Sequence, residues 1–238
     1  HCWRGGMRSA SVGWLLETAG FNVALLMGGY KGFRRWALSL FSVPQKIIVL
    51  GGMTGSGKTE ILRALRNMGE QVLDLEALAN HRGSSFGALG QLPQPTNEQF
   101  WNKIAMEWGK FDSTQPLWVE AESRSIGLCR IPQEIFEQME KAIVIEISRS
   151  RGDANIDDLI AATERIRKRL GGLQAQKAVD FGREGNLVAA SDLILHYYDK
   201  TYTYDLEKRG GCIYKVNVSG LSNLDAAVLV QQKSQEIQ

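Results

Sequence analysis

The run Gly52-Met53-Thr54-Gly55-Ser56-Gly57-Lys58-Thr59 constrains this chain more than any other stretch. It follows the apolar segment Ile47-Ile48-Val49-Leu50 and precedes Glu60-Ile61-Leu62-Arg63-Ala64-Leu65, which has the apolar spacing of a helix. Strand, glycine-rich turn and helix in that order are the context that the phosphate loop G-x-x-x-x-G-K-[ST] requires. The glycines let the backbone wrap so that successive N–H groups face inward. The helix N-terminus adds partial positive charge, and the lysine adds a full one. Gly52, Gly55, Ser56, Gly57, Lys58 and Thr59 are therefore expected to hold a di- or triphosphate, with Thr59 as a ligand of Mg²⁺. The alternative for such a run is a strand-to-helix turn that binds nothing.

The rest of the chain reads as an α/β protein. Ala10 to Ala19 has helical spacing, with Val12, Leu15, Leu16 and Ala19 on one face. Val23 to Met27 reads as a short buried strand and residues 30–42 as a helix running into Pro44, where a domain boundary is expected. After the phosphate-loop strand and a helix over 58–68, further strands are expected at Gln71–Leu75, 117–120, 142–147 and 214–218. Helices are expected at 97–110, 155–170, 173–181 and in part of 191–198. Strands alternating with helices imply a parallel sheet flanked by helices.

Composition narrows the partners. A 238-residue chain with 44% hydrophobic and 23% charged residues can build a core of one or two domains. Its net charge is only +2, but residues 1–46 carry six basic residues against Glu17 alone, a local balance of +5. A basic surface suits a polyanion such as nucleic acid, although it also describes an ordinary solvated face. Cys2, Cys129 and Cys212 are few, widely spaced and odd in number, which supports neither a disulfide framework nor a zinc site and fits a reducing cytoplasm. No apolar run reaches the ~18 residues of a membrane span, and no signal peptide is visible. The chain opens on His1 inside what reads as an active-site loop, so it is expected to be a fragment or processed product of a longer protein.

That loop is Cys2-Trp3-Arg4-Gly5-Gly6-Met7-Arg8-Ser9. Glycines that curl N–H groups around a sulfur, a helix N-terminus aimed at it, and the charges of Arg4 and Arg8 all stabilise a thiolate. A thiolate there would accept or relay sulfur or selenium. The loop, together with Leu26-Met27-Gly28-Gly29-Tyr30-Lys31-Gly32-Phe33-Arg34, resembles the second half of a rhodanese module. Its junction with a phosphate-loop domain resembles the tRNA 2-selenouridine synthase family. The stretches His81-Arg82-Gly83-Ser84-Ser85-Phe86-Gly87, Glu120-Ala121-Glu122-Ser123-Arg124, Arg167-Lys168-Arg169-Leu170-Gly171-Gly172 and His196-Tyr197-Tyr198-Asp199 extend the likeness over nearly the whole chain.

The resemblance implies a C-terminal rhodanese half at 1–43 followed by a phosphate-loop domain with helical tRNA-binding elements at 44–238. It also implies a two-step transfer on tRNA carrying wobble 2-thiouridine. The sulfur is first alkylated with geranyl diphosphate, and the S-geranyl group is then replaced by selenium from selenophosphate to give 2-selenouridine. Cys2 would carry the nucleophile's role, with Arg4 and Arg8 beside it. The part of a rhodanese module that would precede Cys2 is missing from this sequence, which places selenation in question and leaves the phosphate-loop half whole.

Other residues sit where α/β folds put ligand groups. Asp74 ends one strand, as a candidate ligand or supporting group, and Glu120 and Glu122 end another, where one of the two would act on Mg²⁺; each would otherwise cap a helix or pair with an arginine. Arg82, Ser84, Ser85 and Arg124 suit phosphate or tRNA contact, and Arg165, Arg167, Lys168 and Arg169 suit an RNA backbone or the negative end of a helix. Tyr197, Tyr198, Tyr202 and Tyr204 would stack bases or lie half-buried on a helix. His196 reads as structural, and Trp101 and Trp108 as core or as the wall of a prenyl pocket. A kinase or ATPase, and a non-catalytic RNA-binding protein, remain the competing functions.

Overall fold

A computed structural model describes residues 2–53, 56–82, 90–149, 171–186, 188–190, 192–193 and 210–237. In chain order the described elements are α1 (Met7–Thr18), α2 (Gly29–Leu40), β1 (Lys46–Gly52), α3 (Lys58–Asn67), β2 (Gln71–Leu73), α4 (Leu75–Ala79), α5 (Asn97–Trp108) and β3 (Pro116–Glu120). There follow the small antiparallel pair β4 (Ser125–Ile126) and β5 (Cys129–Arg130), then α6 (Gln133–Lys141), β6 (Ile143–Ser148), α7 (Gly172–Arg183), β7 (Ile213–Asn217) and α8 (Asn223–Ile237). Five strands form one sheet in the order β2-β3-β1-β6-β7, and every pairing is parallel.

β1 shows why the sheet is buried on both faces. Six of its seven residues are buried, and successive side chains alternate between two cores. Ile47 and Val49 face a core built with Ala37 and Phe41 from the α2 end, Phe100, Ile104 and Trp108 of α5, and Met139 of α6. Ile48 and Leu50 face a second core with Ile61 and Leu65 of α3 and Ala226 and Val230 of α8. The result is a three-layer α/β/α sandwich. Because all five strands run the same way, their C-terminal ends share one edge. Gly52, Asp74, Glu120 and Arg149 follow or close strands there.

The structure departs from the sequence reading in several places. Residues 23–27 form no strand, and Leu25, Leu26 and Met27 are exposed. An apolar run becomes a strand only where another strand accepts its backbone groups, and among the described residues none lies beside it. The first helix begins at Met7 rather than Ala10, and its expected inner face is open: Val12, Leu15 and Leu16 are exposed. β2 stops at Leu73 because Asp74 turns the chain, its carboxylate accepting the Ala77 N–H at 2.9 Å as the cap of α4. The helix expected at 155–170 and most of that at 191–198 lie outside the described residues. No described helix is long and apolar enough to cross a membrane.

Candidate active site

The phosphate loop turns out of β1 between two parallel neighbours, with Leu50 in register with Glu120 of β3 and Gly52 in register with Ile147 of β6. Gly57 caps α3 with φ +86°, a left-handed conformation that side chains rarely take. Lys58 opens the helix and curls back over the loop. Its Nζ donates to the Gly52 carbonyl at 2.7 Å and the Met53 carbonyl at 3.3 Å, and stands 3.6 Å from Glu120 Oε1. Thr59 Oγ1 lies 3.5 Å from the other oxygen of Glu120. The two motif side chains therefore meet the carboxylate that ends β3. Ser56 is buried, and its hydroxyl has no hydrogen-bond partner among the described residues. Gly55 lies outside them.

Glu120 belongs to a carboxyl cluster. Oxygens of Glu76, Glu120 and Glu122 all lie within 4.8 Å of one another. The clustering follows from local structure. Beyond β3 the chain doubles back, Glu122 N–H donating to the Glu120 carbonyl at 2.8 Å, while Glu76 projects from the first turn of α4. Burial is the first cause of a raised pKa at all three. It lifts Glu76 to about 8, helped by the charges of Glu120 and Asp74. Glu122 is pushed well above the carboxylate range by burial and then by Glu120 and Glu76. Glu120 is raised too, with Lys58 opposing the shift. A hydrogen bond joins Glu76 and Glu122, which requires a proton on one of them. Hard carboxylate oxygens with a threonine hydroxyl are the donor set that Mg²⁺ takes, so the residues present fit that ion.

Asp74, expected at the site, is occupied as a helix cap, and its charge acts on Glu76 from two residues away. Glu76 takes the place beside the other carboxylates. In the sequence a glutamate in the first turn of a helix looks like ordinary dipole compensation. Only its offset of two from a strand-end aspartate hinted otherwise.

The second candidate centre is the cysteine loop. Gly6 N–H donates to Cys2 Sγ at 3.3 Å. The Cys2 pKa falls to about 6, led by the Ser9 hydroxyl and followed by the Gly6 N–H, with smaller help from the N–H groups of Arg4 and Gly5. The neighbouring hydroxyl and N–H groups, with the Gly6 N–H bonded to the sulfur, lower it, not the exposed guanidiniums of Arg4 and Arg8. The loop rests on the start of α2, with Tyr30 N–H donating to the Cys2 carbonyl and Lys31 N–H to that of Trp3. Gly29 allows this approach, since a Cβ there would lie 2.1 Å from the Cys2 carbonyl oxygen. Tyr30 then ties α2 to α5: its hydroxyl donates to Glu98 and accepts from Asn102 Nδ2 at 2.7 Å. Arg34 adds a bond to Asn102 at 3.0 Å and stacks over Trp101 at 5.1 Å.

Of the remaining candidates, Arg82 and Arg124 are exposed. Trp108 is core, and half-buried Trp101 donates its indole N–H to the Arg130 carbonyl at 2.7 Å. Ser84, Ser85, Arg165, Arg167, Lys168, Arg169, His196, Tyr197, Tyr198, Tyr202 and Tyr204 lie outside the described residues.

Comparison with known proteins places this geometry. The profile of the tRNA 2-selenouridine synthase AAA domain matches residues 45–153, from β1 past the end of β6. The tRNA 2-selenouridine synthase of Shewanella sp. (strain MR-7) is 33% identical over 258 aligned residues, covering 90% of this chain and 69% of that protein. The chain belongs to the tRNA 2-selenouridine synthase family. The synthase of Marinobacter nauticus is likewise 33% identical, over 88% of this chain and 68% of its own length. That of Nitrosomonas eutropha is 39% identical over 68% of this chain and 44% of its own. The profile spans the phosphate loop and Glu120, and the longer alignments extend beyond its bounds.

Proposed function

We propose that this chain takes part in modifying wobble 2-thiouridine of tRNA to 2-selenouridine through an S-geranyl intermediate. The observation that carries the reading is the meeting of Lys58, Thr59 and Glu120 over the phosphate loop, in a chain of this family. The loop is a suitable seat for the diphosphate of geranyl diphosphate. Lys58 and the N–H groups at the start of α3 hold the leaving oxygens and stabilise the charge that grows on them. The thiouridine sulfur attacks the allylic carbon, the carbon–oxygen bond breaks with its electron pair on the diphosphate, and the N3 proton passes to solvent. Thr59 and Glu120 would hold Mg²⁺, which when bound neutralises charge on the leaving diphosphate. ATP hydrolysis has no part in this step.

In the second step a carbon–selenium bond replaces the carbon–sulfur bond at C2. The geranyl thiol leaves, and water cleaves the phosphorus–selenium bond to release phosphate. Cys2, largely thiolate at neutral pH, is the residue we assign to selenium handling, in a rhodanese-like portion spanning residues 1–43 that precedes the domain at 44–238. The exposed apolar residues of α1 support placing 1–43 within a larger module. A tRNA substrate also implies a cytoplasmic site of action.

The test is nucleoside mass spectrometry of tRNA bearing wobble 2-thiouridine after incubation with the chain, Mg²⁺ and geranyl diphosphate, followed by selenophosphate. S-geranyl-2-thiouridine is the expected first product. Its absence from a folded chain that turns over ATP would replace this reading with the ATPase one.

A further inference from the structure

Arg149 stands on the opposite flank of the phosphate loop from Glu120. β1 lies between β3 and β6 in the sheet; Glu120 closes β3, and Arg149 follows the last residue of β6. Its guanidinium reaches the start of α3. A Cβ built on Gly57 would lie 3.4 Å from Arg149 Nη1 and 3.4 Å from Asn223 Oδ1. The other terminal nitrogen makes two long bonds at the start of α8, to the Leu221 carbonyl at 3.4 Å and Asn223 Oδ1 at 3.3 Å. Both acceptors are uncharged. Among the described residues no carboxylate pairs with Arg149, and its Nε is buried without a hydrogen-bond partner.

A buried N–H without an acceptor is costly, and a guanidinium's planar fork is matched best by a phosphate or carboxylate. The nearest built anion seat is the phosphate loop itself, and the Arg149 guanidinium stands over its Gly57, within 3.4 Å of where a Cβ there would lie. We infer that Arg149 is a second cationic ligand of the bound diphosphate, gripping from the β6 flank the group that Lys58 holds from the β3 flank. The inference rests on the diphosphate reading of the loop. It gives that reading a guanidinium from within the chain, placed where charge builds as the carbon–oxygen bond breaks.

Calorimetric titration of the full chain with inorganic pyrophosphate in Mg²⁺ buffer tests it, since pyrophosphate reports the seat whatever the organic group. Arg149→Ala is expected to weaken binding about tenfold or more, with an unfolding midpoint close to wild type, and to lower kcat/KM for geranyl diphosphate. If Arg149→Ala fails to fold, Arg149→Lys decides: it keeps a charge but not the fork, so affinity below wild type supports the inference and equal affinity overturns it. Unchanged pyrophosphate affinity in Arg149→Ala would reduce Arg149 to a tether between β6 and α8 while leaving the loop reading intact. A wild-type chain that binds no pyrophosphate would sink the loop reading and the inference with it.

Discussion

The two candidate centres are built in opposite ways. The phosphate loop leaves a strand clamped between two parallel partners and starts a helix whose Ile61 and Leu65 are completely buried. Among the described residues, no strand lies beneath the cysteine loop. It starts α1, whose Trp14 is 67% exposed, and it reaches the rest of the molecule through backbone bonds to α2 and the Tyr30 contacts with α5. A sheet edge fixes its ligand groups by ladders of backbone bonds and two cores at once, whereas a loop on one helix depends on a few side chains. The first centre should therefore respond to mutation through stability and chemistry together, and the second through chemistry alone.

The sharpest break in that comparison is between α2 and α1, which flank the cysteine loop. Phe41, just after α2, is fully buried in the sheet core, so Phe41→Ala should cost about 3–5 kcal/mol in urea unfolding. Trp14→Ser in α1 should stay within about 0.5 kcal/mol. Equal effects would erase the distinction between a helix anchored in the sheet core and one borne loosely beside the cysteine loop.

Gly57→Ala is the next largest. The left-handed φ of +86° should cost about 1–2 kcal/mol, and the new methyl would come into van der Waals contact with Arg149 and Asn223. The paired expectation is a loss of unfolding free energy together with weaker pyrophosphate binding. A loss of one without the other would separate fold from seat.

The carboxyl cluster predicts a pH dependence with a definite sign. Native Glu76 keeps its proton up to about pH 8, where an unfolded glutamate has lost it above about 4.5. The native state therefore binds more protons in that window, and in Mg²⁺-free buffer stability should fall as pH rises from about 5 to about 8. Glu76→Gln should flatten the fall, measured by denaturant unfolding across that range. A stability that rises over the window in the wild type would contradict the buried cluster.

The smallest effect concerns Cys2 alone. Alkylation by iodoacetamide should reach half its maximal rate near pH 6, and Ser9→Ala should move that midpoint upward without changing the unfolding midpoint. An unmoved midpoint would deny Ser9 its leading part.

The better anchored region was also the more legible one. β1, the loop and α3 combine an apolar run, a motif at fixed spacing and a helical period, three signals that agree. The 23–27 segment carried only the first of these, and without a partner strand it stayed exposed coil. α8 went unread because its buried positions are Ala226, Ala227, Val230 and Ser234, small or polar residues that leave a weak period. Glu120 and Glu122 were visible at a strand end, but Glu76 and Arg149 enter the site through sheet order, which no local pattern encodes. The thiolate and the N–H groups around Cys2 were anticipated; the leading Ser9 hydroxyl was not, and the charges of Arg4 and Arg8 are not among the causes.

The central claim is that the phosphate loop is a diphosphate seat for the first of two separable steps. It is tested most directly by the tRNA nucleoside profile of Lys58→Ala beside Cys2→Ala, each given geranyl diphosphate and then selenophosphate. Lys58→Ala should yield no S-geranyl product, while Cys2→Ala should accumulate it and make little 2-selenouridine. Undiminished geranylation by a folded Lys58→Ala chain would contradict the claim.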